Sequence, residues 1–115
     1  MEQQESTRQL KVAGQIRRDL AELIRGRGMA AYAGAMVTVS GVKMTPDLSL
    51  AKVYVSIFPS QKAGQVIKIL EDEKARLRGE LGRLVAKQLR IVPELSFFID
   101  DSLDYVEHID ALLKK

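Results

Sequence analysis

Residues 78–83 read Arg-Gly-Glu-Leu-Gly-Arg, which places two glycines three positions apart between two arginines. A loop with this glycine spacing clamps the backbone of single-stranded RNA in one class of RNA-binding domain. Here Glu80 would repel a phosphate, and Leu81 belongs to an apolar pattern of helical period. We therefore place the segment on a helix, where its chemistry would be contact between a cationic surface and a phosphodiester chain.

Basic residues are concentrated around this segment. Residues 68–90 contain seven Lys or Arg against four acidic residues, whereas residues 91–115 contain six acidic residues against two lysines. The formal net charge of the whole chain is only +3. This asymmetry favours a face that binds a polyanion, although a solvated helix surface is the more frequent origin of a single basic cluster.

A helical projection of residues 77–90 separates an apolar side from a side of small residues. The apolar side holds Leu77, Leu81, Leu84, Val85 and Gln88, and the opposite side holds Gly79, Gly82 and Ala86. A mid-helix glycine costs about 1 kcal/mol relative to alanine, so two of them require a reason. Close approach of RNA is one reason, and close packing or a bend is the other.

We predict two groups of RNA-contact residues. The first lies on this helix and just before it: Lys74, Arg76, Arg78, Gly79, Gly82, Arg83, Lys87 and Arg90. The second lies on the first helix of the chain: Arg8, Lys11, Arg17 and Arg18. Tyr54, Phe97 and Phe98 lack the spacing of an aromatic stacking platform, so we expect the two phenylalanines to pack in the core or on the sheet. We therefore expect the protein to recognise the shape and the backbone of the RNA rather than its bases.

The first helix is predicted from its cap and its periodicity. Ser6 and Gln9 have capping-box spacing, and Gly26 and Gly28 end the helical pattern. Its apolar positions are Leu10, Ala13, Ile16, Leu20, Leu23 and Ile24.

A β-hairpin is predicted next, with a bulge at Gly41 and a turn at residues 45–49. In its second strand Ala51, Val53, Val55 and Ile57 face one way, so one sheet face is apolar and should be covered by helices.

Two helices follow, and we expect a bend between them near residues 71–75, where charged residues interrupt the apolar stripe. A third strand with Leu95, Phe97 and Ile99 on one side comes after Pro93, and a short amphipathic C-terminal helix comes last. The predicted order is α-β-β-α-α-β-α within a single domain, residues 1–115.

Composition narrows the function classes. The chain has no cysteine, which excludes disulfides and thiolate metal sites, and neither a signal peptide nor a membrane span is apparent. A cytoplasmic protein is therefore expected.

An enzyme that uses His108 with Asp100, Asp101 and Asp104 is a weak alternative, because no nucleophile is paired with the histidine. A protein-interaction module that uses an open sheet edge or the acidic C-terminal end is another alternative.

Several extended segments resemble the ribosome-binding factor A family of bacteria. They are QIRRDLAELI (residues 15–24), VTVSGVKMTPDLSLAKVYVSIF (37–58), LRGELGRLVAKQLRIVPELSFFIDDS (77–102) and IDALL (109–113). The resemblance implies an α+β, type II KH-like domain, with a three-stranded mixed sheet packed under helices. It further implies binding to the free small ribosomal subunit, help with late maturation of its RNA near the 5′ end, and a link to growth in the cold.

The resemblance implies no catalysis, no metal, no cofactor and no membrane contact. The implied partners are the small subunit and its RNA, with ribosomal proteins as further candidates, and a monomer is expected. Members of the family commonly carry an Ala-x-Gly kink between the second and third helices. In this chain that position is occupied by Glu73, Lys74 and Ala75, which coincides with the gap in the apolar stripe.

Overall fold

The computed structural model describes residues 5–86, 89 and 91–100 of the chain. These residues form three α-helices and three β-strands in the predicted order. The bounds are α1 Thr7–Arg27, β1 Met36–Met44, β2 Leu50–Phe58, α2 Ala63–Asp72, α3 Lys74–Val85 and β3 Glu94–Ile99. The predicted C-terminal helix lies outside the described residues.

Helix α1 begins at the predicted capping box. Gln9 N donates to Ser6 Oγ at 3.1 Å, and Ser6 N donates to Gln9 Oε1 at 2.8 Å. The amide of Gln9 also donates from Nε2 to the carbonyl oxygen of Met44 at 3.0 Å, so Gln9 is buried against the hairpin. The prediction that Leu10 belongs to the buried stripe is wrong, because adjacent helical residues point about 100° apart and Leu10 is exposed.

Strand β2 is the central strand of the sheet. It pairs with β1 antiparallel and with β3 parallel, which gives the mixed sheet that the family resemblance implied. The register between β1 and β2 shifts between Val39 and Gly41, so the predicted bulge is confirmed. Ala51, Val53, Val55 and Ile57 are all buried, as predicted for the apolar face.

The helices cover this apolar face of the sheet. Leu70 near the end of α2 and Leu77 in the first turn of α3 are both fully buried, so the apolar stripe continues across the break between the helices. The predicted bend is confirmed at Glu73, whose backbone (φ −97°, ψ 8°) lies outside regular helix. Each buried Leu contributes roughly 1.5–3 kcal/mol of transfer free energy, which holds both helices on the sheet.

Two further apolar predictions are wrong. Leu84 is 51% exposed although it was placed on the buried side of α3, because the buried stripe is the narrower one of Leu77, Leu81 and Val85. Ile99 is 47% exposed although it was placed beside Leu95 and Phe97, because it is the last residue of β3.

A polar cluster joins the break between α2 and α3 to the end of α1. The hydroxyl of buried Tyr32 donates to Glu73 Oε1 at 2.7 Å, and Arg27 Nε lies 3.5 Å from Glu73 Oε2. The guanidinium of Arg27 also donates to Glu80 on α3. Burial, together with the hydrogen bond to Glu73, raises the pKa of Tyr32 well above its ordinary value near 10.

We predict that Tyr32→Phe changes the pH dependence of stability. At neutral pH the variant should lose about 1 kcal/mol of unfolding free energy, since Glu73 loses a hydrogen-bond donor. Because folding raises the pKa of Tyr32, its contribution is fully present below pH ~10 and is lost as the pH rises further. The difference between wild type and variant in urea unfolding should therefore shrink and then reverse at alkaline pH. A difference that stays constant would contradict the prediction.

Candidate nucleic-acid interface

Three exposed residues form a ridge along α3. Arg76, Gly79 and Arg83 are separated by three and four positions, so they lie on one face of the helix. Neither arginine forms an ion pair or a hydrogen bond with any residue in the described part of the chain. A Cβ atom added at Gly79 would meet nothing within 4 Å, so the backbone between the two cations is open. We call Arg76, Gly79 and Arg83 the α3 ridge.

Arg78 belongs to a different flank of the helix. Its Nε donates to the carbonyl oxygen of Pro93 at 3.1 Å, and its Nη2 donates to that of Val92 at 2.7 Å. Its Nη1 also lies 3.8 Å from Glu94. These contacts hold the chain that leads into β3, so the guanidinium that we predicted for RNA is engaged within the protein.

Gly82 lies on the same flank as Arg78. A Cβ atom there would stand 2.9 Å from Val92 Cγ2, so the glycine permits close packing of the segment before β3. The prediction that Gly82 is on the solvent face is therefore wrong, and close packing explains this glycine. The same explanation does not apply to Gly79, whose surroundings are open.

The remaining predicted residues of this group are placed as follows. Lys74 Nζ lies 2.6 Å from Glu71 Oε2, and both side chains are about one-third exposed. Lys87 and Arg90 lie outside the described residues. Lys74 thus starts α3 with its charge already neutralised by a neighbour.

Helix α1 contributes cations to a groove that it forms with the end of α3. Arg8 and Lys11 line this groove of about 420 Å³, together with Val12, Gln15, Val85 and Leu89. The structure thus brings the start of α1 close to the C-terminal end of α3. Both cations are exposed, and neither is paired with a described residue.

The other two predicted α1 cations are not brought into this groove. Arg17 is exposed nine positions after Arg8, which places it on the opposite side of the helix. Arg18 donates from Nη2 to Gln15 Oε1 at 3.3 Å. The groove therefore assembles Arg8 and Lys11 alone from the α1 group.

The described residues contain no group of three or more His, Cys, Asp or Glu side chains that could hold a metal ion. Within the enzyme alternative, Asp100 accepts a hydrogen bond from Ser40 Oγ at 2.6 Å. His108, Asp101 and Asp104 lie outside the described residues. In the described part of the chain, no helix is long and apolar enough to cross a membrane.

Comparison with known proteins identifies the family. The family model described as ribosome-binding factor A matches residues 8–113. The chain belongs to the ribosome-binding factor A family. The ribosome-binding factor A of Christiangramia forsetii is 39% identical over 112 residues, which cover 96% of this chain and 86% of that protein.

Solved structures of the family share the fold. The crystal structure of ribosome-binding factor A from Thermus thermophilus has a TM-score of 0.68 at 27% identity, and the match covers 79% of this chain and 94% of that one. A homology model of the Thermus thermophilus factor, fitted into the cryo-EM map of its complex with the 30S subunit, has a TM-score of 0.63 at 28% identity. That match covers 77% of this chain and 91% of the other. The predicted α+β, KH-like fold is confirmed.

The two helix glycines should respond differently to alanine. Gly79→Ala should raise the free energy of unfolding by about 1 kcal/mol, because alanine favours helix and meets open space. Gly82→Ala gains the same propensity but must displace Val92, so it should be less stable than Gly79→Ala by about 1–3 kcal/mol. Urea unfolding of the two variants measures this difference. Equal stabilisation would show that Val92 does not pack on Gly82.

A matched pair of arginine variants tests the structural role of Arg78. Arg78→Gln should destabilise the protein by roughly 1–3 kcal/mol, because the carbonyl groups of Val92 and Pro93 lose their donors. Arg83→Gln removes the same charge from the ridge and should stay within about 0.5 kcal/mol of wild type. Thermal or urea unfolding measures both. The assignment fails if the two substitutions cost the same.

Proposed function

We propose that this protein binds the free small ribosomal subunit and assists late maturation of its 16S RNA, including the 5′ end. In this proposal the chain acts as a single binding domain in the cytoplasm. It contacts the sugar-phosphate backbone of the RNA and catalyses no reaction. A role in growth in the cold is part of the same proposal. Family membership supports the binding to the small subunit, and so does the 30S complex of the Thermus thermophilus factor.

The α3 ridge is the observation that carries the proposal. Its two guanidinium groups are exposed and unpaired within the described part of the chain, and the bare backbone at Gly79 lies between them. Arginine presents a fork of donors that matches phosphate oxygens, so two arginines beside an open backbone suit a phosphodiester chain. Nothing in this arrangement reads bases, which favours recognition of RNA shape and phosphates.

The groove between α1 and the end of α3 supplies a second contact. Arg8 and Lys11 stand at its wall, and its apolar side is formed by Val85 and Leu89. We place a further stretch of RNA backbone along these two cations. Arg78 and Gly82 are left out of the proposed interface, because both are engaged with the chain before β3.

A protein partner is the second candidate function, and the sheet topology favours it specifically. Strands β1 and β3 are the edge strands of the described sheet, and an edge offers unpaired backbone groups to another chain. Fractionation of cell extract on sucrose gradients, with and without ribonuclease, separates the two candidates. Comigration with free small subunits supports RNA, and a partner that stays associated after ribonuclease has degraded the subunits supports a protein.

We predict that removing the two ridge charges weakens subunit binding. The double variant Arg76→Gln, Arg83→Gln should bind isolated small subunits roughly 100-fold less tightly at low salt, because two charge-assisted phosphate contacts are lost. The slope of log K against log salt concentration should become less steep by about 1.4–1.8, as expected for two phosphates. Equilibrium binding at several salt concentrations measures both quantities.

The matched control is the double variant Arg25→Gln, Lys68→Gln. It removes two charges from exposed positions outside the ridge and the groove, on α1 and α2, so the net charge changes equally. We expect the control to bind with nearly the affinity and the slope of wild type. If the two double variants lose affinity to the same extent, binding depends on net charge alone and the ridge is not the interface.

A further inference from the structure

The face of the sheet opposite the helices carries two stacked aromatic rings. Tyr54 of β2 and Phe98 of β3 are partners in the parallel register, and their ring centroids are 5.5 Å apart at an interplanar angle of 28°. Phe98 is 42% exposed. Both phenylalanines pack in the core or sheet, as expected: Phe97 is buried, and Phe98 stacks on Tyr54 with its ring on the outer face.

The open space beside Tyr54 comes from the bulge in β1. Gly41 is the partner of Tyr54 on that side, and a Cβ atom added at Gly41 would meet nothing within 4 Å. The tyrosine ring therefore has Phe98 on one side and a glycine on the other, while Ser40, the extra residue of the bulge, donates from Oγ to the carbonyl oxygen of Tyr54. A flat ring has room to lie against this surface.

Two lysines stand in the neighbouring row of the same face. Lys43 and Lys52 are directly opposite each other in the antiparallel register, and such like-charge pairs repel. Neither forms an ion pair with any described residue. Three carboxylates lie on the turn and strands around this row, and each has another partner. Asp47 accepts from Thr45 and Ser49 within the hairpin turn. Glu94 lies 3.8 Å from Arg78, and Asp100 accepts from Ser40. An anion on this row would relieve the repulsion.

The spacing of these groups suits one ligand class. Lys52 and Tyr54 are two residues apart on one strand, about 7 Å, a distance that a single nucleotide spans from its phosphate to its base. Stacking on aromatic side chains accepts any base, and lysines beside the rings attract the backbone. An unpaired nucleotide thus matches the rings and the charges together, whereas an acidic peptide would match only the lysines.

We propose that this outer face binds single-stranded RNA, with bases stacked on Tyr54 and Phe98 and phosphates on Lys43 and Lys52. It would be a second RNA site, on the side of the sheet opposite the α3 ridge. The proposal rests on the proposed function only in taking the RNA to be ribosomal, since the face itself can be tested with an isolated oligonucleotide.

The test is an NMR titration of the whole protein with a short unstructured RNA oligonucleotide. We expect ring proton shifts at Tyr54 and Phe98, and a loss of affinity of about five- to hundredfold for Phe98→Leu. The matched control is Phe58→Leu, an exposed aromatic at the far end of the same face, which should bind like wild type. Lys52→Gln, which leaves the rings intact, should make the salt slope less steep by about 1.

The result that overturns the inference is the absence of ring shifts, or equal losses for Phe98→Leu and Phe58→Leu. Saturation of the face by an acidic peptide with no response to RNA overturns it as well. The ridge variant Arg76→Gln, Arg83→Gln separates this outcome from a failure of the proposed function. If subunit binding depends on the ridge while the oligonucleotide leaves the outer face unchanged, the inference alone is wrong.

Discussion

The placement of α3 depends on the hydrogen bond and the ion pair that the carboxylate of Glu73 forms with the end of α1 and the segment after it. This carboxylate stands at the break between α2 and α3, where it accepts a hydrogen bond from Tyr32 and pairs with Arg27 at the end of α1. The guanidinium of Arg27 also donates to Glu80, so it ties α1 to α3 about two turns further along the helix. Removing one member of such a partly buried set leaves an uncompensated charge, which makes the arrangement mutually dependent.

This cluster also determines which cations are available to a ligand. Arg27 is 14% exposed and is committed to the two glutamates, while Arg78 is committed to the carbonyl groups of Val92 and Pro93. With these two held inside the fold, Arg76 and Arg83 are the arginines of α3 that stay exposed, and neither is paired with a described residue. A count of basic residues in this region therefore overstates the positive surface that RNA can reach, since some of the arginines support the fold.

Local patterns predicted much of the fold. The capping box at Ser6, the bulge at Gly41 and the break at Glu73 are each set by neighbouring residues, and each is where the sequence indicated. Helical periodicity predicted burial wrongly where a contact with another element decides it. Gln9 is buried because its amide donates to the carbonyl oxygen of Met44, and the adjacent Leu10 is therefore exposed.

The candidate site was less predictable for the same reason. The contact of Gly82 with Val92 depends on how the chain returns from α3 to β3, which helical period does not encode. Tyr54 and Phe98 are neighbours because β2 and β3 pair in parallel, and the alternation of apolar and polar residues does not encode the direction of a strand. The sequence analysis did not identify Lys43 and Lys52 as a pair on the outer face. Their pairing across the hairpin follows when the extra residue of the bulge is included in the register.

The most direct test is a cryo-EM structure of this protein bound to the free small subunit, at a resolution that shows side chains. The account predicts RNA phosphates in contact with the guanidinium groups of Arg76 and Arg83, RNA backbone against Gly79, and Arg78 still bonded to Val92 and Pro93. A complex in which Arg76 and Arg83 face solvent while another surface meets the RNA would contradict it.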